Sequence, residues 1–315
     1  MPITRLASGF LLTLALYPVT DALADNAETA NKSNNPLNLA PGANLQDYYT
    51  PQVYDSNIHT NDALLRGTLP VAPNDFIGVP QLLRATLPIS TRPDPHTGYS
   101  TGIGDLNLFD IFLLKTEGVQ LGIGPQITAP TAEHDELGTG KWQAGFAAVA
   151  IDASPRGLLG ALVQYQSSFA GDSDRQHVES ATFQPFIIHN LPKGWYLRST
   201  GTWTYDLKNN THYIPIGLGA GKAWKAGSNI LNAFVEPQWT VERKGDDLPQ
   251  FTLFAGINVT FGKYGEDSVV AAEGCDRDRD RDRDRDRAGF GETGCFATLR
   301  SLRQRLQFTH AFARV

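Results

Sequence analysis

The stretch LPKGWYLRSTGTWTYDL, residues 191–207, decides how this chain is read. It is too polar for a membrane helix and too regularly alternating for a loop. Successive side chains of an extended strand point to opposite sides. Trp195, Leu197, Trp203 and Tyr205 therefore share one face, with the small Ser199 and Gly201 between them. Tyr196, Arg198, Thr200, Thr202, Thr204 and Asp206 share the other. A charged side chain facing lipid near mid-strand costs about 2–4 kcal/mol. That penalty assigns the aromatic face to lipid and the Arg198 face to a wet interior.

The same alternation recurs along the chain. GVQLGIGPQITAP sets Val119, Leu121, Ile123 and Ile127 against Gln120, Gly122, Gly124, Gln126 and Thr128. NILNAFVEPQWTV sets Leu231, Ala233, Val235, Trp239 and Val241 against Asn232, Glu236, Gln238 and Thr240. QFTLFAGINVTF behaves alike, with Leu253, Ala255, Ile257, Val259 and Phe261 on the apolar side. Period-2 runs of about ten residues are the signature of tilted membrane strands, whereas soluble strands run to about five or six. The spacing predicts strands near 62–70, 81–90, 102–114, 118–130, 139–151, 157–169, 177–190, 193–206, 212–224, 228–241 and 248–261. GDLNLFDIFLL breaks parity, since Asp105 and Asn107 share a face with Phe109 and Ile111, and a bulge is one explanation.

The connections alternate too. TRPDPHTGYS, TAEHDELG, AGDSDRQ, LKNNT and ERKGDD are polar and mostly long, while KTEG, DASPR, LPKG and KAGS are tight. Long loops on one side and short turns on the other are the asymmetry of outer-membrane barrels. This asymmetry makes the strand at 62–70 run towards the periplasm, so an upward strand must precede it, and 45–54 is the candidate. The expected fold is an all-β, antiparallel, up-and-down transmembrane barrel of about twelve strands over residues 45–262, because single-chain bacterial barrels have even counts. Trp142, Trp203 and Trp239 fall near outer strand ends, and Trp195 and Trp224 near periplasmic ends. All five share parity with the apolar set, as two interfacial aromatic girdles require.

Residues 1–24 read as an export signal, with Arg5 in the charged region, a short apolar run, and ALA at 22–24 as the cleavage site. Residues 25–44 then form a periplasmic N-terminal segment. The chain of 315 residues carries a net charge of −6, which offers no basic field to nucleic acid. Cys275 and Cys295 make no disulfide or metal framework by themselves. GLGAGK at 217–222 lacks the Ser or Thr of a phosphate loop and lies in a strand, where glycines allow close packing. His134 with Glu133, Asp135 and Glu136 reads as a solvated acidic loop, and no GxSxG is present. No catalytic residue, cofactor or metal is expected, although a catalytic triad assembled in space would leave no such local trace.

LLRGTLP at 64–70 and LLRATLP at 82–88 differ only at Gly67 and Ala85. Both carry an arginine mid-strand on the polar face. Arg66, Arg84, Arg198, Asp206, Glu236 and Gln238 are thus the expected lumen-facing residues, with Glu236 a counter-charge. Such groups either set selectivity or fill a small barrel as ion pairs.

QLLRATLPISTRP, GIGDLNLFDIF, LGTGKWQAGFAAVAI, YIPIGLGAGKAWK, FVEPQWTV and the upstream NPLNLAPGANLQDYYTP together resemble the outer-membrane family named for the meta-pathway of phenol degradation. The resemblance spans roughly residues 31–262. It implies a transporter-like barrel in the bacterial outer membrane, tied in some members to the degradation of aromatic compounds. The expected function is a porin-like channel for small molecules, aromatic or apolar ones among them; the alternative is a barrel enzyme acting on lipids. Expected partners are outer-membrane lipid, a small-molecule solute and the barrel insertion machinery. Residues 263–315 depart from the family pattern. They hold the repeat DRDRDRDRDRDR at 276–287, which has no packing periodicity and reads as a disordered, non-native tail.

Overall fold

The computed structural model describes residues 19–262. Most of the expected export signal at 1–24 and all of the tail at 263–315, with Cys275 and Cys295, lie outside the described residues. Fifteen strand segments make twelve staves, and each stave pairs antiparallel with its sequence neighbours. The unbroken staves are β1 (Gly42–Val53), β2 (Thr60–Val71), β3 (Gln81–Asp94), β6 (Val119–Ala129), β7 (Lys141–Ser154), β8 (Gly157–Gly171), β9 (Glu179–Asn190), β14 (Asn229–Lys244) and β15 (Pro249–Thr260). Three staves are interrupted: β4 (Gly98–Ile103) with β5 (Leu106–Lys115), β10 (Trp195–Ser199) with β11 (Trp203–Asp206), and β12 (Thr211–Gly217) with β13 (Gly219–Ala226).

The ring closes where β1 meets β15, from Gly42 opposite Thr260 to Val53 opposite Pro249. The upstream strand inferred from the direction argument is therefore the closing stave. Its Pro51 is accommodated by a register shift between Tyr49 and Gln52. Closure pairs both edges, which is how a β-sheet can cross lipid without unpaired backbone groups.

The outer wall is apolar. Leu45, Leu65, Ile123, Phe146, Ile187, Leu197 and Ile257 are each about 40–55% exposed. A contiguous apolar surface of this kind marks a membrane-facing belt. GDLNLFDIFLL needs no bulge at its centre. Phe109, Ile111 and Leu113 are buried inside, while Leu108 and Leu114 are exposed outside. Asp110 then falls on the outer face, paired across the ladder with Leu83, which is itself 40% exposed.

Two connections differ from expectation. TRPDPHTGYS is not a loop, because the ladder between β3 and β4 continues to Asp94 opposite Gly98. Asp94 closes the tip by accepting hydrogen bonds from the His96 amide (2.7 Å) and the Thr97 hydroxyl (2.5 Å). The Thr97 hydroxyl and then the His96 amide hold its carboxyl well below the usual carboxylate range. Arg92 anchors the hairpin to β2, its Nη2 donating to both carboxylate oxygens of Asp62 at 2.8 Å. On the opposite rim the connection at 72–80 is the long one, and its Phe76 is 98% exposed.

Asp110 Oδ1 is buried and has no hydrogen-bond partner among the described residues. Replacing an unpaired carboxyl on the lipid face by leucine should stabilise the barrel by about 1–2 kcal/mol. Urea unfolding of Asp110→Leu in lipid vesicles checks this, and a loss of stability would show that the carboxyl has a partner.

Candidate functional site: the lumen

Residues 25–44 do not stand apart from the barrel. Helix α1 (Val19–Asn34) and the turn after it pack on inward-facing side chains at the short-turn end. The contacts are polar at the rim. Asn31 Nδ2 donates to the Ser154 carbonyl (2.7 Å), Asn190 Nδ2 to Asn31 Oδ1 (2.9 Å), and Asn35 Nδ2 to Gln120 Oε1 (2.7 Å). Deeper in, Ala30 and Leu37 are fully buried in a cluster with Leu82, Ile111, Leu113, Ile151, Leu158 and Ile188. The interior is therefore not uniformly wet. Its short-turn end holds an apolar floor on which the N-terminal segment packs. Strand alternation shows which residues point inward but not what fills the space between them.

Above this floor sits a buried ion pair. Arg198 Nε donates to Glu236 Oε2 at 2.7 Å, with side-chain exposures of 7% and 0%. Glu236 also accepts from the Thr200 amide (2.7 Å), the Thr200 hydroxyl (2.7 Å) and Gln238 Nε2 (3.1 Å). A buried carboxylate is tolerable only when paired and saturated with hydrogen bonds in this way. The Arg198 guanidinium lies 3.7 Å from the centre of the Phe234 ring and 5.1 Å from that of Phe254, and Tyr48 stacks on Phe254 at 4.1 Å.

The strand break next to this pair explains why a carboxylate is needed there. Residues 200–202 leave the ladder, and the facing wall carries Pro215, which has no N–H to offer. The Thr200 amide turns to Glu236, and Gln184 Nε2 donates to the Thr200 carbonyl at 3.2 Å. Lumen side chains thus replace wall hydrogen bonds that lipid could not supply. GLGAGK makes the room. A Cβ at Gly217 would lie 2.2 Å from Glu236 Oε1, and one at Gly221 would lie 2.3 Å from the Tyr196 ring. These glycines pack a carboxylate and a tyrosine.

Of the other expected lumen residues, Gln238 is buried beside Glu236. Arg66 and Arg84 lie together on β2 and β3, with β1 and β15 between them and the Glu236 stave β14. Asp206 does not join either group. It closes the outer turn, accepting from the Asn209 amide (2.9 Å) and Asn209 Nδ2 (2.7 Å). Trp142, Trp195, Trp224 and Trp239 are 39–53% exposed on the outer face, and Lys222 lies 5.4 Å from the Trp195 ring centre. Trp203 is half-buried against Phe183, with ring centres 4.9 Å apart. The Asp62–Arg92 pair was not legible in the sequence. Its only trace was the shared inward parity of two opposite charges on neighbouring strands.

In the acidic loop, Glu133 accepts the Ile103 amide (2.9 Å) and Asp135 lies 3.9 Å from Arg175, so both are tied to the fold. His177 contacts Ser168 Oγ (2.8 Å) and Ser167 Oγ (3.4 Å) at the outer rim. Ser168 also accepts the Val178 amide (3.0 Å), which makes this contact a clamp on the hairpin.

The closed twelve-stave ring, its apolar belt and its polar lumen define a bacterial outer-membrane β-barrel. No family model and no curated protein sequence matches the chain. Among solved structures it is similar to the COG4313 outer membrane channel from Pseudomonas putida F1. That likeness has a TM-score of 0.56 at 15% identity and covers 72% of this chain and 98% of the other, so it speaks for the fold alone. Weaker likenesses are to outer membrane phospholipase A from Escherichia coli (TM-score 0.35, 10% identity, 77% of this chain and 98% of the other) and to an anion-selective porin from Comamonas acidovorans (TM-score 0.33, 8% identity, 70% and 97%). At those scores they carry no argument.

Removing one partner of the Arg198–Glu236 pair strands a buried charge, so Glu236→Leu should destabilise the barrel by about 3–5 kcal/mol. The double variant Arg198→Met, Glu236→Leu should recover most of that loss, apart from the orphaned Thr200 amide. A double-mutant cycle by urea unfolding in vesicles measures both.

Proposed function

We propose that the barrel is an outer-membrane channel for small solutes, gated at its periplasmic end by the N-terminal segment. The observation that carries this reading is the inward polar track on one side of the lumen. It runs from Asp62, Ser90 and Arg92 near the outer rim, through Arg66, Thr68, Arg84 and Thr86, to the apolar floor and the plug. These side chains are mostly half-buried, so they line reachable space instead of filling a solid core. The plug meets the wall largely through asparagine hydrogen bonds and a few apolar contacts, a set that can be broken without unfolding the ring.

The sequence resemblance to the family named for the meta-pathway of phenol degradation supports aromatic or apolar molecules as the solute class. The apolar floor directly below the polar track agrees with such a solute. The channel reading needs no catalytic residue, and the barrel is proposed not to be an enzyme.

Bilayer conductance and liposome swelling with phenols, sugars and amino acids test this. Deleting residues 25–37 should raise conductance, while replacing Arg66 and Arg84 with glutamate should shift selectivity towards cations. A barrel that releases product from lipid while passing no ions or solutes, even without the plug, would overturn the proposal.

A further inference from the structure

Among the described residues, four arginines point into the lumen, and their circumstances differ. Arg92 is paired with Asp62 and Arg198 with Glu236. Arg66 and Arg84 enter no ion pair with any described residue. They are neighbours across the ladder. Arg66 stands opposite Thr86 and Arg84 opposite Thr68, so the two guanidinium groups lie diagonally on one face of adjacent strands. Each has one neutral acceptor: Arg66 Nη1 donates to Gln46 Oε1 (2.5 Å), and Arg84 Nε to Thr68 Oγ1 (3.2 Å). The Gln46 amide is itself engaged with Asn258 Oδ1 (3.1 Å). Arg66 Nε is buried and has no acceptor among the described residues.

Two adjacent cations on a low-dielectric wall repel one another. A buried donor without an acceptor is a further cost. Both are relieved by one anion placed between the two groups, and a planar guanidinium pairs best with a carboxylate or phosphate. The surroundings choose between these. The Arg84 guanidinium lies 5.0 Å from the centre of the Phe109 ring, and Phe109 leads down to the buried Leu82, Ile111 and Leu113. A small inorganic anion would leave this apolar surface unused. A carboxylate attached to a ring would place its charge on the arginines and its body on Phe109 and the floor.

We propose that Arg66 and Arg84 form a binding site for the carboxylate of small amphipathic acids, with aromatic monocarboxylates as the class that fits. The site rests on the reading of the barrel as a solute channel, and it makes that channel selective for organic acids over neutral analogues of equal size.

The test is calorimetric titration of the whole barrel in detergent with benzoate, benzyl alcohol and sulfate, beside bilayer conductance of the same preparation. Benzoate should bind at least about tenfold more tightly than either other probe. Arg66→Gln with Arg84→Gln should erase its advantage over benzyl alcohol, while Arg66→Lys with Arg84→Lys should keep part of it. Heat-modifiable gel mobility establishes that each variant is folded. If the glutamine pair does not fold, the comparison of three probes on the unaltered barrel decides alone. Equal binding of benzoate and benzyl alcohol would overturn the site, and so would sulfate binding as tightly as benzoate. Conductance without benzoate preference would sink the site and leave the channel standing. Benzoate preference in a barrel that never conducts would sink the channel and leave the site.

Discussion

Every backbone amide and carbonyl that crosses lipid must find its partner inside the protein. The pairing of Gly42–Val53 with Pro249–Thr260 meets that demand for the first and last staves and turns a sheet with two open edges into a ring. The other features follow from the ring. Alternation around a closed wall separates an outer apolar belt from an enclosed interior. Polar side chains on the inner face are sheltered from lipid. The N-terminal helix packs at the short-turn mouth of the cylinder. Where the ladder fails, at residues 200–202 beside Pro215, the same demand brings in the Glu236 carboxylate and the Gln184 amide as substitutes.

The lumen then divides by charge. On the β10–β15 side, Glu236 neutralises Arg198 and is enclosed by the glycines of GLGAGK, so that side is a solid, saturated network. On the β1–β5 side, Arg66 and Arg84 repeat the same local sequence without an acid to meet them. The identical arginine chemistry yields a structural strut in one place and an open cationic surface in the other. The difference lies in what the neighbouring staves supply. That asymmetry separates filler from a solute-facing group, and it ties the permeation track to one side of the barrel.

The sequence by itself determined the strands, their faces and the ring. Trp195, Leu197 and Arg198 already fixed which face of their stave meets lipid, because the cost of a charge in hydrocarbon is large and the period of two leaves no third direction. The long and short connections set strand direction, and direction demanded the closing stave at 45–54. Glu236 was legible as a counter-charge to the inward arginines for the same reason of parity, while its pairing with Arg198 in particular came from the structure. What alternation could not carry was anything that depends on distance across the lumen. Only the tertiary structure decided that Asn31, Asn35 and Leu37 pack on the wall at the short-turn mouth, that TRPDPHTGYS continues a hairpin, that Asp206 closes a turn, and that Asp110 faces outward beside Leu83. A strand's periodicity records its two faces. The contents of the enclosed space are set by curvature, stagger and the approach of residues far apart in the chain, and no local pattern encodes those.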